Sequence, residues 1–232
     1  MKSKQKDFFS KKAAGFDAES SITQNVESIG THILQQLSFT KDMHIMDFGS
    51  GTGLLLCQIA PFVGKITAVD ISASMNDVLK TKLAAIDCTV ELMEMDLTKE
   101  TLDTKFDGII SSMTIHHIEN VQEIFKKFYS LLKVNGSIAI ADLDKEDGSF
   151  HTEDTGVFHN GFDRNEFLNF AKNAGFKNLK IQTASTVHKP TGNYPVFLLT
   201  GEKQRLIKNL LLAVKIEECN TPTIIPCYSD LH

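Results

Sequence analysis

The chain has 232 residues, of which 42% are apolar and 23% charged, and its formal net charge is −5. That length and composition suit one α/β domain with a sizeable core and argue against a second domain. The acidic balance excludes a broad nucleic-acid surface, which draws on clustered Lys and Arg, and no apolar stretch approaches the roughly 20 residues of a membrane-spanning helix.

The basic start, with Lys2, Lys4, Lys6, Lys11 and Lys12, reads as solvated and frayed. No signal-peptide core follows it, so a cytoplasmic location is expected. The segment KDFFSKKAAGFDAESSITQNVESIGTHILQQL reads as helical, with Val26, Ile29, Ile33, Leu34 and Leu37 on one stripe. Phe8, Phe9 and Phe16 are concentrated ahead of that stripe, either to close the core or to cover a ligand.

Residues 45 to 53, IMDFGSGTG, form an apolar run ending in Asp47 and then glycines at every second position, Gly49, Gly51 and Gly53. The run predicts a buried parallel strand, and LLLCQIAPF the helix it feeds. Glycines let the turn between them take positive backbone angles and let a ligand lie against the main chain. A second apolar run, KITAVDIS, ends in Asp70, about 20 residues beyond the turn. In a doubly wound sheet that strand end lies beside the glycine turn, where a carboxylate can accept from both hydroxyls of a ribose. A third strand pattern, TVELMEM, is followed by Asp96 and Leu97. Asp96 either accepts an adenine amine, with the next amide reaching a ring nitrogen, or caps the turn that follows.

KFDGIISS predicts a fourth strand, and HHIENVQEIFKKFYSLLKVNG a helix stopped by Asn135 and Gly136. SIAIADL is the fifth strand. The long polar loop after it, DKEDGSFHTEDTGVFHNGF, leaves a strand carboxyl end, where open α/β sheets bind ligands, and is the expected substrate lid. DRNEFLNFAKNAG predicts a helix with Asp163 as N-cap, Glu166 as its capping-box partner and Gly175 past its end. LKIQTASTV and YPVFLLTGE flank a link too short for a parallel crossover, so they pair antiparallel or not at all. QRLIKNLLLAVKIEE predicts one more helix, its Leu206, Ile207, Leu210, Leu211 and Val214 covering either the domain's own sheet edge or a partner subunit.

In DFGSGTG, Asp70, MDL, FDGIISSMTIHHI, LLKVNGSIAIADL and FLNFAKNAGFKNLKIQT, the chain resembles the class I S-adenosylmethionine-dependent methyltransferases over about residues 10 to 203. It is most similar in feel to the UbiE-like small-molecule branch, with its paired His after the fourth strand. The resemblance implies a Rossmann-like, doubly wound seven-stranded sheet, mostly parallel with an antiparallel C-terminal hairpin strand. It implies a methyltransferase domain with an N-terminal helical cap over residues 1–203, and leaves 204–232 as a helical extension through which a homodimer can form. The cofactor that the resemblance implies is S-adenosylmethionine, with S-adenosylhomocysteine as product. Its implied contacts are Asp47, Gly49, Ser50, Gly51, Gly53, Asp70, Ile71, Met75, Asp96, Leu97, Ser112, Met113 and His117, with Phe16 where the family often has Tyr.

Methyl transfer from a sulfonium is a direct displacement, so proximity and exclusion of water supply most of the acceleration. A base is needed only when the acceptor must lose a proton. His116, His117, His151 and His159 fall on loops expected to line the mouth, and His117 and His159 are the catalytic candidates. No metal site is expected, and Cys57, Cys88, Cys219 and Cys227 lack ligand spacing. SMTI stands where an adenine-amino methyltransferase of nucleic acids carries D/N-P-P-Y/F/W, which points to a small-molecule acceptor. Transfer-RNA modification and non-catalytic cofactor sensing are the alternatives. A nicotinamide dehydrogenase is disfavoured because Leu54 breaks the G-x-G-x-x-G spacing.

Overall fold

The computed structural model describes residues 7, 9–151, 153 and 155–205. The strands are β1 (His44–Phe48), β2 (Lys65–Asp70), β3 (Thr89–Glu94), β4 (Phe106–Ser112), β5 (Leu132–Leu143), β6 (Lys177–Lys189) and β7 (Gly192–Glu202). They form one sheet in the order β3-β2-β1-β4-β5-β7-β6. The first five pair in parallel, and β7 inserts antiparallel between β5 and β6. This is the expected doubly wound α/β sheet with its antiparallel hairpin.

Helices α1 (Ser20–Gln36), α2 (Leu54–Ile59), α3 (Ala73–Lys82), α4 (Val121–Leu131) and α5 (Arg164–Ala174) cover its two faces. Alternation along the strands divides the core. Ile45, Ile66, Ala68 and Ile110 pack with Ile29, Ile33, Leu56 and Leu79 of α1, α2 and α3. Met46, Val69, Ile109 and Ile140 pack with Phe125, Phe128 and Phe167 of α4 and α5. Both faces of β1, β2 and β4 being buried, these strands read as largely apolar runs, whereas the edge strand β3, TVELME, is half-buried and alternates. Asp163 accepts from the amides of Asn165 and Glu166 at the start of α5, and Gly175 ends it in the left-handed region, as its sequence signals predict.

Two helical expectations are corrected. The opening segment is not one helix: a 3₁₀ stretch, Ala13–Ala18, is separated from α1 by Glu19 in extended backbone. The helix after β4 begins only at Val121, capped by the Asn120 side chain, and ends at Leu131. Its expected tail, LKVNG, instead opens β5, because Leu132 pairs with Phe106 and the Asn135 amide bonds the Lys203 carbonyl at 2.7 Å. Asn135 and Gly136 lie in the irregular start of a strand, with Asn135 at φ 67°. Among the described residues no helix is long and apolar enough to cross a membrane. The predicted helix after residue 205 lies outside the described residues, with Cys219 and Cys227.

Candidate active site

The sheet order reverses at β1, and the glycine turn leaves its carboxyl end, the place where open α/β sheets bind ligands. The Gly49 and Ser50 amides anchor the turn by donating to the Val69 carbonyl. A β-carbon on Gly49 would lie 2.2 Å from the Thr114 side chain, and one on Gly53 2.5 Å from Leu79 Cδ1. At Gly51, φ is 52° and a β-carbon would meet no atom within 4 Å. Two of the glycines therefore permit packing, and the third faces open space.

Asp70 joins the turn to the next helix. Its Oδ2 accepts from the Gly51 amide at 2.7 Å and its Oδ1 from the Ser72 amide at 2.8 Å. Burial pushes its carboxyl up, partly offset by those two donors. Ser72 in turn caps α3 by accepting from the Met75 amide.

These groups border a cavity of about 1050 Å³. Of the residues expected at the site, Asp47, Gly49, Ser50, Gly51, Asp70, Ile71, Met75, Asp96, Leu97, Ser112, Met113, His117 and Phe16 line it, whereas Gly53 and His159 do not. Asp47 Oδ2, Ser50 Oγ and Ser112 Oγ are buried there without a hydrogen-bond partner among the described residues. Burial, and then the charge of Asp70, pushes the Asp47 carboxyl up to about 8. Asp96 caps its turn, accepting from the Thr98 amide at 3.0 Å and Lys99 Nζ at 2.6 Å, and also lines the cavity. Lys127 Nζ holds the same turn from behind by donating to the carbonyls of Leu97, Thr98 and Glu100.

Residues 9–18 roof the cavity. Asp17 accepts from Thr52 Oγ1 at 2.6 Å and pairs with Lys82, while Asp7 accepts from Ser72 Oγ at 3.0 Å and Ser74 Oγ at 2.7 Å. The Phe9 ring meets His117 edge-on at 5.6 Å. Neither aspartate was singled out in the sequence, since an acid in a polar stretch gives no signal until its serine partners are known.

The histidines separate. His116 and His117 occupy a 3₁₀ turn, Ile115–His117, after β4, and both line the cavity with His151 from the loop after β5. His117 Nδ1 lies 3.3 Å from the Gly156 carbonyl, and burial, then His116, pushes its ring down to about 4. His159 instead stacks on Phe162 and places Nε2 2.9 Å from the Ile118 carbonyl, outside the cavity. The loop expected as a lid does border the site through Phe150, His151, Thr155, Gly156 and Phe158. Sequence reasoning missed the 2.7 Å contact of His116 Nδ1 with Asp142 Oδ1, although Asp142 ends an apolar run just as Asp47 and Asp70 do. Among the described residues no group of His, Cys, Asp and Glu has the arrangement of a metal site, and Cys57 and Cys88 are free thiols.

Residues 46–140 match a family model described as a methyltransferase domain. The chain is 35% identical over 156 residues to an uncharacterized methyltransferase of Schizosaccharomyces pombe, covering 60% of this chain and 55% of that one. It is 31% identical over 136 residues to a malonyl-[acyl-carrier protein] O-methyltransferase of Priestia megaterium, covering 56% and 47%. The chain thus spans about half the length of these curated relatives. A solved structure of Haemonchus contortus phosphoethanolamine N-methyltransferase 2, in complex with phosphomonomethylethanolamine and S-adenosylhomocysteine, shares the fold at TM-score 0.67 and 16% identity, over 88% of this chain and 61% of that one. With the strand order and the glycine turn in agreement with that match, residues 46–140 are similar to a methyltransferase domain, and the fold is that of solved methyltransferases.

Proposed function

We propose that the chain binds S-adenosylmethionine along the glycine turn and transfers its methyl group to a small molecule in the roofed half of the cavity. The observation that carries this reading is the set of buried, unpartnered polar atoms, Asp47 Oδ2, Ser50 Oγ and Ser112 Oγ, beside the open face of Gly51. Buried polar atoms without partners are costly, and a polar ligand laid along the turn satisfies them. Asp70 keeps acceptor capacity for ribose hydroxyls, since each of its oxygens has a second lone pair. Ile71 and Leu97 offer apolar faces to a base, with Asp96 at its edge. Asp47 complements the ammonium of the cofactor's amino-acid end.

When bound, S-adenosylmethionine supplies an electrophilic methyl carbon attached to a sulfonium. The chain's residues supply placement and dryness. Phe9 and Phe16 from the roof and Phe150 and Phe158 from the loop wall the acceptor side, excluding water and restricting the approach of the acceptor. His117, neutral across the working range, positions the acceptor from the turn after β4. The concave, roofed cavity and the acidic balance support a small acceptor over a polynucleotide. We place homodimer contacts, where they form, on residues 204–232, to be tested by the oligomeric state of the chain with and without them.

Calorimetry with S-adenosylmethionine, S-adenosylhomocysteine and NAD side by side tests the reading. Binding of the first two and not the third is expected. Binding of NAD alone, or of none, overturns it.

A further inference from the structure

The face of β5 that carries Ile138 and Ile140 into the core also carries Asp142, which is fully buried. Its Oδ1 accepts from the Leu143 amide at 2.7 Å and lies 2.7 Å from His116 Nδ1, and its Oδ2 accepts from the His116 amide at 3.2 Å. The His116 carbonyl accepts from the Phe158 and His159 amides at 2.9 and 3.2 Å. Side chain, amide and carbonyl of His116 are thus all fixed.

A carboxylate at Nδ1 fixes the tautomer: Nδ1 carries the proton, and Nε2 is the nitrogen that can accept one. The His116 ring lines the cavity, with the rings of His117 and His151 at 4.3 and 5.2 Å. The titratable groups facing it are Asp142 from β5, His117 from its own turn and His151 from the loop, with Lys189 of β6 acting on His151. His151, like His117, is pushed down, to about 3, by burial first and then by His116. Both are poor bases, and among the described residues neither ring is hydrogen-bonded to a carboxylate: His117 Nδ1 faces the Gly156 carbonyl and His151 Nδ1 faces Thr155 Oγ1.

We propose that His116, oriented by Asp142, is the catalytic base for a hydroxyl acceptor on an aromatic or enolic carbon. This rests on the methyl-transfer reading. A carboxylate or thiolate acceptor has its lone pair free and needs no base, whereas a phenol or enol attacks well only as its anion. The phenylalanine walls suit a flat ring. In the step, the acceptor O–H bond breaks and its proton goes to His116 Nε2. The oxygen lone pair forms the new bond to the methyl carbon, and the carbon–sulfur bond breaks with its electrons left on a neutral thioether. Asp142 is a positioning residue that balances the imidazolium and does not itself take the proton.

The test uses the full chain with 4-nitrophenol as probe, whose anion is read by absorbance. Below the free probe's pKa, the bound probe is expected to show a phenolate-to-phenol ratio about tenfold or more above that in buffer, from the adjacent imidazolium. His116→Gln and Asp142→Asn should return it to the buffer ratio while retaining S-adenosylhomocysteine affinity. A probe that stays un-ionised in the wild type, fails to bind, or ionises equally in both variants overturns the proposal. Because both residues are buried, the variants can fail to fold. Nitrogen-15 shifts of the wild-type His116 then decide, an Nδ1–H tautomer supporting the dyad and an Nε2–H tautomer refuting it. Loss of S-adenosylhomocysteine binding by the wild type counts against the cofactor reading, and the ionisation result still judges the dyad.

Discussion

Gly51→Ala separates the turn's binding role from its folding role. A β-carbon there meets no atom within 4 Å, so the cost to the fold is only that of a left-handed backbone at φ 52°, about 1–2 kcal/mol. For a chain of this size that lowers Tm by about 2–8 °C. The methyl projects into the space assigned to the cofactor, and a loss of at least about tenfold in affinity, about 1.4 kcal/mol, is expected. Gly53→Ala is the control. It carries similar backbone strain at φ 83° and drives its β-carbon to 2.5 Å from Leu79 Cδ1, which adds about 1–3 kcal/mol of overpacking. Since Gly53 does not line the cavity, its folded variant should bind within about threefold of the wild type. Thermal melts give the folding costs, and calorimetry with S-adenosylhomocysteine gives the affinities. A folded Gly51→Ala protein with undiminished affinity refutes the close approach of cofactor to backbone, whatever happens to its Tm.

Asp70→Asn should weaken S-adenosylmethionine binding about 10- to 100-fold, the worth of one charge-assisted hydrogen bond, and an unchanged Kd in a folded protein sinks the ribose assignment. Asp47, held up to about 8, is protonated in the free protein at neutral pH, and an ammonium beside it favours the carboxylate. Cofactor binding near pH 7 should therefore release up to one proton, read from calorimetry in buffers of different ionisation enthalpy; the release should vanish in Asp47→Asn and fade above pH 8. Because its folded pKa lies above its unfolded value, Asp47's contribution to stability is present below about pH 4 and lost as pH rises toward 8. Asp47→Asn should therefore show a flatter stability profile across that window, and parallel profiles would contradict its raised pKa. His159→Ala removes the contact with the Ile118 carbonyl and should cost about 1 kcal/mol of stability with turnover retained; a selective loss of turnover would return His159 to the site.

The glycine-turn wall of the cavity was legible because its signals are local. An apolar run ending in an acid, followed by alternate glycines, states strand and turn in nine residues, and Asp70 repeats the strand-end half of that signal. The histidine wall depends on contacts between distant segments. Nothing near His116 in sequence announces Asp142, and nothing near His159 shows that its ring turns to Ile118 instead of the cavity. Helix ends misled for a related reason. Leu132 fits the helical stripe of α4 as well as it fits a strand, and only its pairing with Phe106 decides between them. The break at Glu19 likewise depends on the roof crossing to Thr52 and Ser72, which helical periodicity cannot express.

The position of β7 has a consequence during synthesis. It is the last strand made among the described residues, yet it sits inside the sheet, pairing with Ser137–Leu143 of β5. Until residues 192–202 leave the ribosome, β5 presents a bare edge at Asp142, and a nascent chain carrying the whole glycine turn is still an unfinished sheet. The strands that carry the glycine turn and Asp70 are translated early, but the strand that carries Asp142 waits for nearly the whole domain before it is paired on both sides. A truncation or stalled product ending before residue 192 therefore leaves an exposed strand, a substrate for chaperones and proteases, whatever glycine turn it carries.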